Sequence, residues 1–290
     1  MQLEKQSGCK VNLLLNILGR RADGFHELES VMHPIAVFDR LSFARAKEGI
    51  SLTTSDPLLP VVRKNLVYQA AAKFLAAAGI KDGVRLHLEK HIPVAAGLGG
   101  GSGNAAATLL GLNELFGHPF KMEELTHIAT QLGSDVPFFL QNKPALATGR
   151  GERIQSLDSV LALRGAYFLL IHPGFGIATP WAYQQLARFP TALNGEPGRA
   201  QRFISTLQKE DLGAAGHALF NSLETPALEK YPLLDLFQEF LLENGAAGTL
   251  MSGSGSTTFA LARDKNAAQS LGEKFKARFG QQNWLAVVPA

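Results

Sequence analysis

The segment Gly97-Leu98-Gly99-Gly100-Gly101-Ser102-Gly103-Asn104 holds five glycines within seven residues, between a strand-like and an alanine-rich helical stretch. Glycine lets successive backbone N–H groups turn toward one point with no Cβ in the way. A helix start that follows adds unpaired donors and the positive end of its dipole. The chemistry implied is an anion cradle suited to a polyphosphate. The plainer alternative is a tight strand-to-helix turn, but that many glycines cost conformational stability without a packing return. Three familiar loops do not fit. A Walker A loop ends in Gly-Lys-Ser/Thr, and no lysine follows here. Gly101-x-Gly103-x-x-Ala106 meets a relaxed dinucleotide fingerprint, yet the acidic residues downstream, Glu123 and Glu124, read as helix interior and not as a strand end. Gly100-Gly101-Ser102-Gly103 starts a nucleophile elbow whose closing glycine is replaced by Asn104.

Two charged residues could act on a bound anion: Lys10 in Cys9-Lys10-Val11-Asn12-Leu13 and Asp135 in Leu132-Gly133-Ser134-Asp135-Val136-Pro137-Phe138. A carboxylate can take a proton, and an ammonium can offset charge that develops on phosphoryl oxygens. By residue type alone, an aspartate after a helix end is more often a solvated turn residue. A strand lysine more often snorkels.

The elements that must position these residues are legible in outline. Residues 11–18 and 31–43 read as strands joined by the polar turn Arg21-Ala22-Asp23-Gly24. Asn65 is a fitting N-cap for a helix through Val67, Ala70, Ala71, Phe74 and Leu75, with Gly79 at its left-handed end. Val84, Leu86 and Leu88 alternate with Arg85, His87 and Glu89, as in a strand with one wet face. Helices are predicted over 104–116 and 122–132. The pattern resets near residue 160. A strand over 166–171 follows, then Thr179 as N-cap before Pro180, a loop at 194–198 and helices as far as 243. The chain closes with strand 249–252, a glycine turn, strand 257–261, helix 264–279 and strand 285–288. The expected class is α+β in two domains, 1–160 and 161–290.

Composition excludes other classes. With 46% hydrophobic and 18% charged residues, the 290-residue chain is globular and neither disordered nor fibrous. A net charge of +3 without a dense Lys/Arg run gives little reason to expect nucleic acid. Cys9 is the single cysteine, which rules out an internal disulfide and an all-cysteine zinc site. The apolar stretch 11–18 is interrupted by Asn12 and Asn16 and followed by Gly19-Arg20-Arg21, so it reads as a strand and not a signal peptide. A cytoplasmic protein without a membrane span is expected. His87 and His91 lie on an alternating strand, where four residues span about 13 Å, too far for one zinc ion.

Pro93-x-x-x-Gly97-Leu98-Gly99-x-x-Ser102 with its alanine-rich helix resembles the phosphate loop of the GHMP kinases, the superfamily of galactokinase, homoserine kinase, mevalonate kinase and phosphomevalonate kinase. The segments around Lys10 and Asp135, with Gly19-Arg20-Arg21-Ala22-Asp23-Gly24-Phe25-His26-Glu27-Leu28, narrow the resemblance to members acting on a diphosphocytidyl sugar alcohol. A homoserine or mevalonate kinase would not be expected to carry that third segment. The resemblance implies a two-domain fold with the active site in the interdomain cleft, and ATP as co-substrate with Mg2+. Only small-molecule partners are implied, with no protein-held metal.

It also implies roles for individual residues. Asp135 becomes the general base and Lys10 the charge-stabilising cation. Pro93-Val94-Ala95-Ala96-Gly97-Leu98-Gly99-Gly100-Gly101-Ser102-Gly103 holds the ATP phosphates, with Asn65 and Lys90 near the adenine. Asn12, Phe25, His26, Thr179 and Tyr183 line the pocket of the second substrate, His26 facing the cytosine edge. The family usually has tyrosine where this chain has Phe25, which keeps an aromatic face and loses a hydroxyl. Tyr183 fits a helix-core aromatic equally well. Gly253-Ser254-Gly255-Ser256 resembles the family's C-terminal glycine turn and is, on residues alone, equally a hairpin turn.

Overall fold

The computed structural model describes residues 3–290. Contacts divide the chain into two compact units, each discontinuous in sequence. The first comprises the chain as far as Cys9 together with Val37–Ile92 and Gly99–Lys143; the second comprises Lys10–Ala36, Pro93–Leu98 and Pro144–Ala290. Two long strands, β1 (Leu3–Arg20) and β2 (His26–Ala46), run through both.

In the first unit β3 (Ile50–Thr54) pairs parallel with β4 (Gly83–Glu89), and β4 pairs antiparallel with β2, Phe43 opposite Leu86. Val84, Leu86 and Leu88 are buried while Arg85 and His87 are exposed, the one-wet-face alternation expected of this strand. The helices are α1 (Leu66–Ala77), α2 (Gly100–Leu115), α3 (Met122–Thr130) and α4 (Val136–Gln141). The Asn65 side chain caps α1 by accepting the Val67 N–H at 2.9 Å. Gly79, at φ +63°, ends it. Helix α2 lies against the sheet through glycines: a Cβ on Gly111 would meet the Phe43 ring at 2.5 Å, and one on Gly103 would meet the Gly8 carbonyl oxygen at 2.3 Å. Glu124 accepts the Lys121 N–H at 2.8 Å at the start of α3, a helix-start role.

The second unit begins its own elements with β5 (Ala145–Gly149), β6 (Arg153–Ser156) and β7 (Tyr167–His172), then α5 (Thr179–Gln185), α6 (Pro190–Leu193), α7 (Arg199–Leu207) and α8 (Leu212–His217). It continues with β8 (Phe220–Asn221), α9 (Glu224–Lys230), α10 (Pro232–Glu243), β9 (Gly248–Met251), β10 (Thr258–Ala262), α11 (Lys265–Phe279) and β11 (Trp284–Pro289). Strands β11, β7, β10 and β9 form an antiparallel sheet in that order. Its core joins Leu169 and Ile171 to Phe237 and Leu241 of α10 and Phe275 of α11. Strand β8 pairs parallel with β1, Leu14 opposite Phe220, and β5 pairs antiparallel with β2, Val31 opposite Leu146. A second core gathers Leu15, Ile17 and Leu28 with Ile177, Leu186, Leu223 and Met251.

The structure departs from the sequence reading in several places. Helix α2 begins at Gly100, not near Asn104, because close packing of Gly103 on β1 outweighs the low helix propensity of glycine. The N-cap of α5 is Ala178; Thr179 is its first residue, and its hydroxyl is used elsewhere. Strands β3, β5, β6 and β8 lie outside the sequence expectations.

Candidate active site

Strand β1 places Lys10 and Asn12 two residues apart, hence on one face, and both are buried at 4% exposure. The Lys10 ammonium donates to Asn12 Oδ1 and, at 3.3 Å, to the carbonyl of Gly97. Asn12 Nδ2 donates to Ser30 Oγ at 2.8 Å, and Ser30 donates on to the Leu14 carbonyl at 2.7 Å. This chain orients the amide so that its oxygen meets the ammonium. The Lys10 N–H in turn donates to the Leu98 carbonyl at 2.9 Å, tying the first half of the glycine loop to β1.

The turn between β9 and β10 grips the same loop segment. Ser252 Oγ donates to the Gly97 carbonyl at 3.0 Å, and the Thr257 N–H donates to the Ala96 carbonyl at 3.1 Å. Gly97 stands at φ +77°, and a Cβ there would lie 2.0 Å from the Ser252 carbonyl oxygen. A Cβ on Gly253, at φ +56°, would meet the Gly97 carbonyl oxygen at 3.0 Å and Lys10 Nζ at 3.3 Å. The turn that could have been a simple hairpin therefore packs on the glycine loop and the buried lysine. Asn221 holds its base, donating to the Met251 and Gly253 carbonyls at 2.7 and 2.8 Å. The carboxyl of Glu224 accepts the Met251 N–H at 2.8 Å. Burial pushes that carboxyl up to about 7, with Asp235 adding to the effect.

The residues expected to meet the second substrate fall in small groups. Phe25 is 52% exposed, with the Arg150 guanidinium 4.6 Å from its ring centroid. His26 and Tyr183 place their ring centroids 5.0 Å apart at a 38° tilt. Burial, and then the charge of Arg20, lower the His26 pKa from its ordinary value, so the ring is neutral at neutral pH and offers one donor and one acceptor. Thr179 and Ser254 share a hydroxyl hydrogen bond at 3.0 Å. Arg150, Ser30 and Ser252 carried no sequence signal of their own, whereas Ser254 lies in the glycine turn 253–256 that the sequence singles out. Each is a common residue type in a loop or strand, and only the fold gives it these neighbours.

The first unit holds the other half of the loop. Gly99, at φ +68°, precedes α2, whose first turn is Gly100-Gly101-Ser102-Gly103. A Cβ on Gly100 would lie 3.0 Å from Ile92 Cγ2 and 3.5 Å from Lys90 Nζ. Gly101 is different: it is exposed, and its Cβ would meet only Leu66 Cδ1 at an ordinary 3.6 Å. Packing therefore explains Gly100 and Gly103 but not Gly101, which leaves open backbone at a helix start. Lys90 is ion-paired with the buried Asp39. Asn65 is engaged at both ends, its Oδ1 on Val67 N–H and its Nδ2 donating to the Pro60 carbonyl at 2.8 Å. Asp135 is partly buried at the N-cap position of α4 and makes no capping bond to that helix. Among the described residues no three His, Cys, Asp or Glu side chains cluster as metal ligands would, and no helix is long and apolar enough to cross a membrane.

The model of the GHMP kinases N terminal domain matches residues 65–143, and that of the GHMP kinases C terminal domain matches residues 203–281. A 4-diphosphocytidyl-2-C-methyl-D-erythritol kinase of Pelotomaculum thermopropionicum is 42% identical over 92% of this chain and 92% of its own length. The chain belongs to the 4-diphosphocytidyl-2-C-methyl-D-erythritol kinase family of GHMP kinases. A family member from Syntrophotalea carbinolica is 39% identical over 94% of each chain. A solved 4-(cytidine 5'-diphospho)-2C-methyl-D-erythritol kinase superposes with a TM-score of 0.81 at 34% identity, covering 99% of this chain and 100% of the other. The chain is thus a kinase with the α+β GHMP fold. The N-terminal match takes in Asn65, Lys90, the glycine loop and Asp135, and the C-terminal match takes in the turn 253–256. Lys10, Asn12, Phe25 and His26 precede the first match, and Thr179 and Tyr183 fall between the two.

Proposed function

We propose that this kinase transfers the γ-phosphoryl group of ATP to the 2-hydroxyl of 4-diphosphocytidyl-2-C-methyl-D-erythritol, giving the 2-phosphate and ADP, in the methylerythritol phosphate pathway to isoprenoid precursors. The observation that carries the reading is the buried Lys10 ammonium tied to the Gly97 carbonyl, a cation built into the glycine loop. Two relatives named as kinases of that compound, 42% and 39% identical to this chain, support the substrate class.

In the proposed step the substrate oxygen forms a bond to the γ-phosphorus. The bond from that phosphorus to the bridging oxygen breaks, and its electron pair leaves with ADP. Asp135 accepts the hydroxyl proton as general base, Lys10 stabilises charge on the transferring group, and no phosphoenzyme forms. ATP enters as its Mg2+ complex. Residues 93–103 receive its phosphates, with the open N–H groups at Gly101 among the donors, and Asn65 and Lys90 border the adenine. The neutral His26 can donate to and accept from a cytosine edge, between the aromatic faces of Phe25 and Tyr183. Asn12 and Thr179 complete that pocket. By resemblance the two domains of the enzyme are residues 1–160 and 161–290, a division along the chain that differs from the two contact units, and its compartment is the cytoplasm.

The test is ADP release with ATP and the diphosphocytidyl sugar alcohol, run beside homoserine and mevalonate. Turnover is expected with the first alone. Its absence there, or comparable turnover with either of the others, overturns the assignment.

A further inference from the structure

Strand β2 carries a fully buried carboxylate, Asp39, that the proposed chemistry does not use. Asp39 is 0% exposed, and four donors reach it from two parts of the chain. Its Oδ1 accepts the N–H groups of His91 and Ile92 at 2.7 and 2.9 Å. Its Oδ2 accepts Asn104 Nδ2 at 2.8 Å and the Lys90 ammonium. A carboxylate offers about four lone-pair sites, so this one is fully used.

The positions of those donors matter. Residues 90–92 are the last before Pro93, where the glycine loop begins, and Asn104 is the first residue beyond Gly103, where it ends. One buried carboxylate therefore anchors both flanks of an eleven-residue loop. The Asn104 amide also donates to Ser7 Oγ at 2.8 Å, which ties the same point to β1.

Electrostatics point the same way. Lys90 Nζ lies 3.5 Å from the Cβ position of Gly100, at the N-terminus of α2. An ammonium and the positive end of a helix dipole repel each other, and a side chain exposed by only 8% has little water to screen it. The Asp39 charge is what lets the two positive groups stay together at the place where an anion would be received.

We infer that Asp39 is a positioning residue for the nucleotide: its carboxylate fixes the strand exit at 90–92 relative to the first turns of α2, and with them the donors of the glycine loop. The inference rests on the reading of that loop as the ATP-phosphate site. Asp39→Asn keeps the shape but turns an amide NH2 toward the Lys90 ammonium or the backbone donors, all of which are themselves donors.

The test combines calorimetric titration with ADP and steady-state kinetics, on wild type and Asp39→Asn, at a temperature well below the melting point of each. The expected result is an ADP Kd and an ATP KM raised about tenfold or more, with the KM for the phosphoryl acceptor within about twofold of wild type. A purely structural role would lower the melting temperature and leave both nucleotide constants unchanged. That outcome overturns the inference while wild-type ADP binding keeps the loop assignment. Wild type that binds no ADP overturns both. If Asp39→Asn does not accumulate as folded protein, Asn104→Ala takes its place. It removes one of the four donors and should weaken ADP about threefold; unchanged affinity there overturns the inference equally.

Discussion

The most direct probe of the glycine loop is a pair of alanines placed four residues apart. At Gly97 an alanine faces two costs. Its φ of +77° is one that an L-residue holds only at roughly 1–2 kcal/mol. Its Cβ would lie 2.0 Å from the Ser252 carbonyl oxygen, 3.0 Å from Gly255 N and 3.1 Å from Gly255 O. All three are backbone atoms, so no side-chain tip can swing aside, and overpacking of this kind costs a further 1–3 kcal/mol or so. The sum is about 2–5 kcal/mol, to be met either as lost stability or as a displaced loop. A displacement near 1 Å would move the Gly97 carbonyl away from Lys10 Nζ and cost on the order of 100-fold in turnover. Gly101→Ala reverses the expectation. Its neighbour at 3.6 Å is in ordinary contact and its backbone is helical, so the fold should gain roughly 0.4–1 kcal/mol. A phosphate close to that backbone would meet the new methyl, and the ATP KM should rise about tenfold. Differential scanning calorimetry and ADP-release kinetics on both variants read the four quantities. Gly97→Ala with wild-type melting and turnover would refute the packing argument. Gly101→Ala with an unchanged ATP KM would refute the claim that its open backbone faces a phosphate.

Three further expectations can be checked in the same assays. Asp135→Asn should lower the single-turnover rate by about 100-fold or more with ADP Kd within about threefold; a near-normal rate removes the base assignment. Tyr183→Ala should raise the KM for the cytidyl substrate about tenfold and leave that for ATP alone, since its ring lies 5.0 Å from His26; an equal rise in both would point to a general packing role. For Glu224→Gln the sign follows from a carboxyl raised from 4.5 to about 7: the folded state holds the proton more tightly, so the stability it contributes is complete below pH 4.5 and lost as pH rises through 7. The glutamine variant should be the more stable protein at pH 8, by on the order of 2–3 kcal/mol, and nearly equal at pH 5. Parallel melting curves across that range would contradict it.

Local signals served well wherever an element is long and its own residues decide it. Helix α1 follows from the Asn65 cap, its buried stripe and Gly79, and β4 from its strict alternation. The glycine loop was legible from composition, because few sequences tolerate five glycines so close together without a ligand or a tight approach. What was not legible is which glycine does which job. Gly103 is required by the Gly8 carbonyl and Gly97 by the Ser252 carbonyl, contacts made by residues 95 and 155 positions away. Nor could residue types distinguish Asp39, a buried hub, from any polar residue of a half-wet strand.

The sequence by itself determined the chemistry available to this protein: a flexible backbone cradle, a lysine and an aspartate in defined motifs, and an aromatic and histidine pair at a turn. Those are properties of residue type and short spacing, which survive without a fold. Tertiary structure alone decided how they are held. It set the Lys10 ammonium on the Gly97 carbonyl, closed the turn from Ser252 to Thr257 over the loop, and tied both loop flanks to Asp39. Buried polar groups must find partners, and in a folded chain those partners come from distant segments whose approach no local pattern records.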